Sequence, residues 1–177
     1  MKCLVSAMVL ILTICACNTD KDRVLLESFI GSEVSLCTDS MLCINDNNYQ
    51  NKKSKYIYVI YIDSIDCSEC AIKSMVWWAN DCEMSKAIEL GKIEYAFIFS
   101  PRKIVKNQII SKIKEECIFP QYTYIDSSEI TIRNNPNIPP NRAFHTFMID
   151  ETGKVVLVGD PIRNDKVKKM FLKITAD

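Results

Sequence analysis

At 177 residues the chain holds one domain with a short appendage, large enough to bury a core of its own. Its 22 basic and 22 acidic residues cancel, which excludes the electrostatic footprint of a nucleic-acid binder. With 4 glycines, 6 prolines, no polar low-complexity stretch and no internal repeat, neither a disordered tail nor a repeat array fits.

Met1-Lys2 makes a short positive end, and Leu4 to Ile14 is an apolar run too short to span a bilayer comfortably. "LTICAC" and the polar "NTDKD" follow. With Cys17 as acceptor, Ala16, Cys15 and Ile14 fill the preceding positions, and the arrangement resembles the lipobox of bacterial lipoproteins. Cys15 is a poorer acceptor, because Ile14 then stands where a small side chain is needed. The resemblance implies removal of residues 1–16, a lipid on Cys17 and attachment to the inner or outer membrane of a bacterial envelope. An ordinary cleaved signal peptide or an uncleaved apolar anchor is the alternative. Each leaves the domain outside the cytoplasm.

That compartment governs the cysteines. Nine are present, at 3, 15, 17, 37, 43, 67, 70, 82 and 117. Six remain once the leader and the lipid site are set aside, an even set that an oxidising compartment can pair. Sequence alone selects no connectivity among Cys37, Cys43, Cys82 and Cys117.

Residues 17–54 read as a tether and N-terminal appendage. Asp22 to Ile30 spaces Val24, Leu25, Phe29 and Ile30 as a short amphipathic helix stopped by Gly31. Glu33 to Asn45 reads as a hairpin with Cys37 and Cys43 on its two arms, before a polar loop. The domain proper, 55–177, opens with "YIYVIYID", β-branched and aromatic as a strand buried on both faces requires. Ala71 to Leu90 reads as one helix with Ile72, Met75, Val76, Ala79 and Cys82 inward. Ile93 to Phe99 is a second buried strand, Lys103 to Cys117 a second helix, and "QYTYID" a third strand. After a proline-bearing loop, "AFHTFMID" and "KVVLVGDP" form an antiparallel hairpin, and Asn164 to Ile174 a last helix. This order implies an α/β protein with a mixed central sheet flanked by helices.

Cys67-x-x-Cys70 follows a buried strand, opens a helix, and precedes the "HTFMIDETGKVV" hairpin by about 75 residues. Over Lys55 to Ile174 the chain resembles the thioredoxin-like fold. Lipobox and domain together resemble the redoxin or thiol–disulfide interchange lipoproteins of Bacteroides-type bacteria. The resemblance implies that Cys67, nearer solvent, is the attacking thiolate and Cys70 the resolving one. It implies no cofactor, and a redox partner protein or small thiol as the other reactant.

The helix dipole and unpaired N–H groups favour a thiolate at Cys67. Asp66 and Glu69 oppose it, so the expectation is a raised Cys67 pKa and a reducing couple. Where relatives carry a cis-proline opposite the pair, this chain has Phe144 or His145, which predicts a trans loop. His145, the only histidine, is either a proton carrier or third metal ligand for the pair, or a half-buried residue bonded to a backbone group. The second reading is preferred. Zinc is a minor alternative because Cys37 and Cys43 are spaced unusually for a second ligand pair. Peroxidase chemistry ranks low, since no proline and threonine precede Cys67 in the required pattern. Cys82 and Cys117 read as buried small apolar groups. Trp77-Trp78 reads as one exposed and one buried ring. The leading function is a membrane-anchored thiol–disulfide oxidoreductase; the alternative is a non-catalytic thioredoxin-fold lipoprotein with a binding or structural role.

Overall fold

β-branched and aromatic residues at 56–62 cannot hide one face only, and the sheet is built around them. The computed structural model describes residues 20–44, 54–64, 66–116, 118–119 and 122–176. The leader, Cys17, the polar loop at 45–53 and Cys117 lie outside the described residues.

Six strands form one sheet in the order β1-β4-β3-β2-β5-β6: β1 Leu42–Cys43, β2 Tyr56–Ile62, β3 Ile93–Phe99, β4 Thr123–Ile125, β5 Thr146–Asp150 and β6 Val155–Val158. β2, β3 and β4 are parallel neighbours, while β5 runs antiparallel to β2 and β6 to β5. β2 is paired on both edges, with Ile60 opposite Phe97 on one side and Thr146 on the other. Its side chains alternate between two cores. Tyr58 and Ile62 join Tyr95, Phe97 and Met148 under α2 (Ser68–Asn80), α3 (Cys82–Glu89), α4 (Lys106–Glu116) and α6 (Asp165–Thr175). Val59 and Tyr61 join Ile98, Phe147 and Val155 on the opposite face.

That second face is covered by the N-terminal stretch. A helix described over residues 20–29, α1, buries Phe29 against Phe147, ring centroids 5.2 Å apart. The chain then passes the β6 edge, where Val34 N–H donates to Gly153 O at 2.8 Å and Val155 N–H to Ser32 O at 2.9 Å. It crosses the face through Val34 and Leu36 and reaches the far edge as β1, paired with β4. The expected helix is present. The expected hairpin is not: Cys37 sits in a left-handed turn, φ 48°, and Cys43 pairs with Tyr124 rather than with its own other arm. Two separate sheet edges offer more unpaired backbone than one short hairpin could. The crossing is tight at Gly153 (φ +84°), where a Cβ would lie 2.9 Å from Val34 O.

The expected single helix over 71–90 is broken at Asp81. That residue is extended, and its carboxylate accepts the Met84 N–H at 3.1 Å as the cap of α3. Lys168 of α6 reaches the same carboxylate at 2.7 Å. The break turns Cys82, expected inward, out to solvent. Trp77 is exposed and Trp78 buried, as their spacing requires. Short α5 (Ile130–Asn134) is held by buried Asp126, whose carboxylate accepts the Ile130 and Thr131 N–H groups at 2.9 and 2.8 Å.

Candidate dithiol site

Two aspartates shape the turn from β2 into α2. Asp63 N–H donates to Asp66 Oδ2 at 3.2 Å, and Asp66 N–H to Asp63 Oδ1 at 3.0 Å. This reciprocal pair delivers Cys67 to the cap position of α2, in extended conformation, with its sulfur accepting the Cys70 N–H at 3.3 Å. A thiolate there answers the unpaired donors of the first turn. Both thiols are free and exposed.

The two sulfurs are driven apart in acidity. Hydrogen bonds from the Cys70 side chain and backbone hold the Cys67 thiol below the usual value, against some desolvation and the Glu69 charge. Its partner moves the other way: the bond to Cys67 and desolvation push Cys70 up. The expected rise at Cys67 is therefore reversed. Each acid beside it has a cation of its own. Glu69 is clamped by Lys112 at 2.8 Å and Lys73 at 3.2 Å, which hold its carboxyl below the ordinary range. Asp66 Oδ1 takes Arg142 Nη1 at 2.7 Å. A stabilised thiolate favours the dithiol over the disulfide, so the ground given for a reducing couple is removed.

The loop before β5 faces the pair. Arg142–Phe144 forms one 3-10 turn capped by Asn141, and no peptide bond among the described residues is cis. His145 O accepts the Tyr61 N–H at 2.9 Å, which pins the loop to β2. The imidazole is 6% exposed, its Nε2 is 3.1 Å from Pro139 O, and it meets the Tyr61 ring edge-on at 5.4 Å. Burial pulls its pKa down, so it is neutral at pH 7. The backbone-bonded reading thus describes Nε2, while Nδ1 is buried without a hydrogen-bond partner.

Cys67, Cys70, Asp66 and His145 line one cleft of about 270 Å³, together with Arg142, Asp160 and Arg163. Phe144 is half-buried in the preceding turn and does not line it. Glu69 borders the pair from the α4 side through Lys112. Sequence reasoning missed Arg142, Asp160 and Arg163. Only "GDP" at the end of β6 hints at a folded-back acid, and burial pushes that Asp160 carboxyl up. No group of three or more His, Cys, Asp or Glu among the described residues is placed to hold a metal. No described helix is long and apolar enough to cross a membrane.

A parallel β-α-β unit, a closing hairpin and a dithiol at the mouth of the first central helix define a thioredoxin-like α/β domain. Solved structures agree on that fold. The chain is similar to a thioredoxin-like protein from Bacteroides caccae, with TM-score 0.57 and 12% identity over 90% of this chain and 56% of that one. It therefore spans little more than half of that protein's length. It is also similar to the thioredoxin domain of a thiol-disulfide oxidoreductase from Bacteroides vulgatus, with TM-score 0.55 and 16% identity over 82% and 97% of the two chains. A thiol:disulfide interchange protein from Bacteroides sp. gives TM-score 0.54 and 16% identity over 84% and 91%. No protein-family model and no curated protein matches the sequence.

Proposed function

We propose that the chain is a thiol–disulfide oxidoreductase of a bacterial envelope, anchored through lipid on Cys17 and working on a partner protein or small thiol. The observation that carries this reading is the Cys67 sulfur at the α2 cap, exposed, bonded to the Cys70 N–H and lowered in pKa while Cys70 is raised. That asymmetry supports Cys67 as the attacking thiol and Cys70 as the resolving one. The Cys67 thiolate attacks one sulfur of the partner's disulfide, forming a mixed disulfide and releasing the other sulfur as a thiolate that takes a proton. Cys70, deprotonated in turn, attacks Cys67 Sγ; the Cys67–Cys70 disulfide forms and the partner leaves with both electrons as a dithiol. Run backwards, the same steps oxidise a partner. Asp66 and Glu69, each charge-paired, shape the rim of the site, and His145 packs beneath it.

The extracytoplasmic placement is supported by the lipobox-like "ICAC". A non-catalytic binding or structural role draws on one feature: Phe144 and His145 stand where such enzymes carry a cis-proline, and the loop is trans. Insulin reduction separates the readings. Turnover above a free-thiol blank, abolished in Cys67→Ser, supports the enzyme; no turnover above the blank favours the binding role. Radiolabelled palmitate incorporated into the full chain, and lost in Cys17→Ala, tests the anchor.

A further inference from the structure

The first described turn of α1 touches the loop that carries Arg142. Asn141 Nδ2 donates to Asp22 Oδ2 at 3.2 Å. The next residue, Arg142, is ion-paired with Asp66, immediately before Cys67. From this point α1 descends the second face of the sheet. Phe29 meets Phe147, and Gly31 N–H donates to Val155 O at 2.8 Å. Val155 pairs with Ile149, which lies opposite Ile57 near the start of β2. The dithiol follows the other end of β2. So the first described turn of α1 lies at the dithiol end of the domain and its C-terminus at the far end.

Only Asn18 and Thr19 lie in sequence between Cys17 and Asp20, the first described residue of α1. Three Cα–Cα steps reach at most about 11 Å. Val24 and Leu25, on α1, are 64% and 37% exposed and line an apolar hollow with Asp20 and Lys21. The charges at 20–23 cancel, two acidic and two basic, so this face offers an apolar seat rather than an electrostatic one. An acyl chain supplies membrane affinity; a short amphipathic helix beside it sets orientation.

We propose that α1 seats the domain on the bilayer that carries the Cys17 lipid and holds Cys67 at the membrane surface, so that the disulfide exchanged belongs to a protein whose reactive cysteines lie close to the same bilayer. This rests on the lipid-anchored oxidoreductase reading above. A tether this short raises the effective concentration of cysteines near the membrane and denies reach to distant ones.

The test uses the full lipidated chain carrying Cys70→Ser, on phosphatidylcholine vesicles with and without phosphatidylglycerol. The probe is the dianionic disulfide 5,5′-dithiobis(2-nitrobenzoate), with the adduct at Cys67 quantified by peptide mass mapping. A sulfur at the surface of the anionic bilayer meets a depleted probe, and its rate falls about threefold against neutral vesicles. A flexible spacer of about 20 residues between Asn18 and Thr19 should abolish that difference. Equal rates on the two vesicle types, with the lipid shown to be attached, overturn the seating alone. A chain that carries no lipid overturns the anchor and the seating together.

Discussion

Arg142, on the loop before β5, reaches across the cleft to Asp66, Nη1 to Oδ1 at 2.7 Å, beside the residue that presents the nucleophilic sulfur. The pair is half-exposed, so its worth to stability is small. Its expected effect is on the neighbouring thiol, because it offsets a carboxylate one residue from where a second negative charge must form. Arg142→Ala leaves Asp66 uncompensated and raises the Cys67 pKa. Alkylation of Cys67 at pH 7 should slow roughly three- to tenfold and recover toward the parent rate at high pH. Arg142→Lys should restore part of the loss; a pH profile identical to the parent's would refute the role.

Glu69 offers the converse experiment. Its charge raises the Cys67 pKa even while clamped by Lys112 and Lys73. Glu69→Gln removes that opposition and should move the Cys67 titration down and the couple toward the oxidising side in a glutathione titration. Lys112→Ala releases the carboxylate from its nearer cation and should move both the other way.

Asp160 predicts a pH signature in stability. Burial raises its folded-state pKa, so the folded chain binds this proton more tightly than the unfolded chain does. Its contribution is fully present below the unfolded carboxylate value and is lost as pH rises through the raised folded value. Asp160→Asn keeps an acceptor for the Ile162 N–H and removes the charge. It should raise the melting temperature at pH 7 and leave it nearly unchanged near pH 3.

Phe29 tests whether α1 belongs to the domain. It is fully buried against Phe147 in the second core. Phe29→Ala should cost about 3–5 kcal/mol in urea unfolding. Val24→Ala, at an exposed position on the same helix, should stay within about 0.5 kcal/mol.

Much of this architecture is legible in the residues. The β-branched and aromatic run at 56–62 reads as a strand paired on both edges, and the "ETG" turn between two apolar runs reads as the close of a hairpin. The position of Cys67 at a strand-to-helix junction follows from the same patterns. Other features depend on partners far away in sequence. The break at Asp81, capped by its own carboxylate and paired with Lys168 from α6, is not marked in the local apolar spacing. The segment from Glu33 to Asn45 looks like a hairpin locally, but its described part is drawn to two different sheet edges. Arg142 follows an unremarkable proline-rich loop, and its pairing with Asp66 bridges 76 positions. For the same reason, Asp66 and Glu69 read alone suggest a raised thiol pKa; their cations come from other turns and other elements.

The central claim is the division of labour between Cys67 and Cys70. Its most direct measurement is trapping: Cys70→Ser, reduced and mixed with an envelope extract held oxidised, followed by non-reducing separation and mass mapping of the joined cysteines. The account predicts mixed disulfides joined through Cys67, absent when Cys67→Ser is added. Adducts carried by Cys37, Cys43 or Cys82 with Cys67 free, or no trapped species at all, would contradict it.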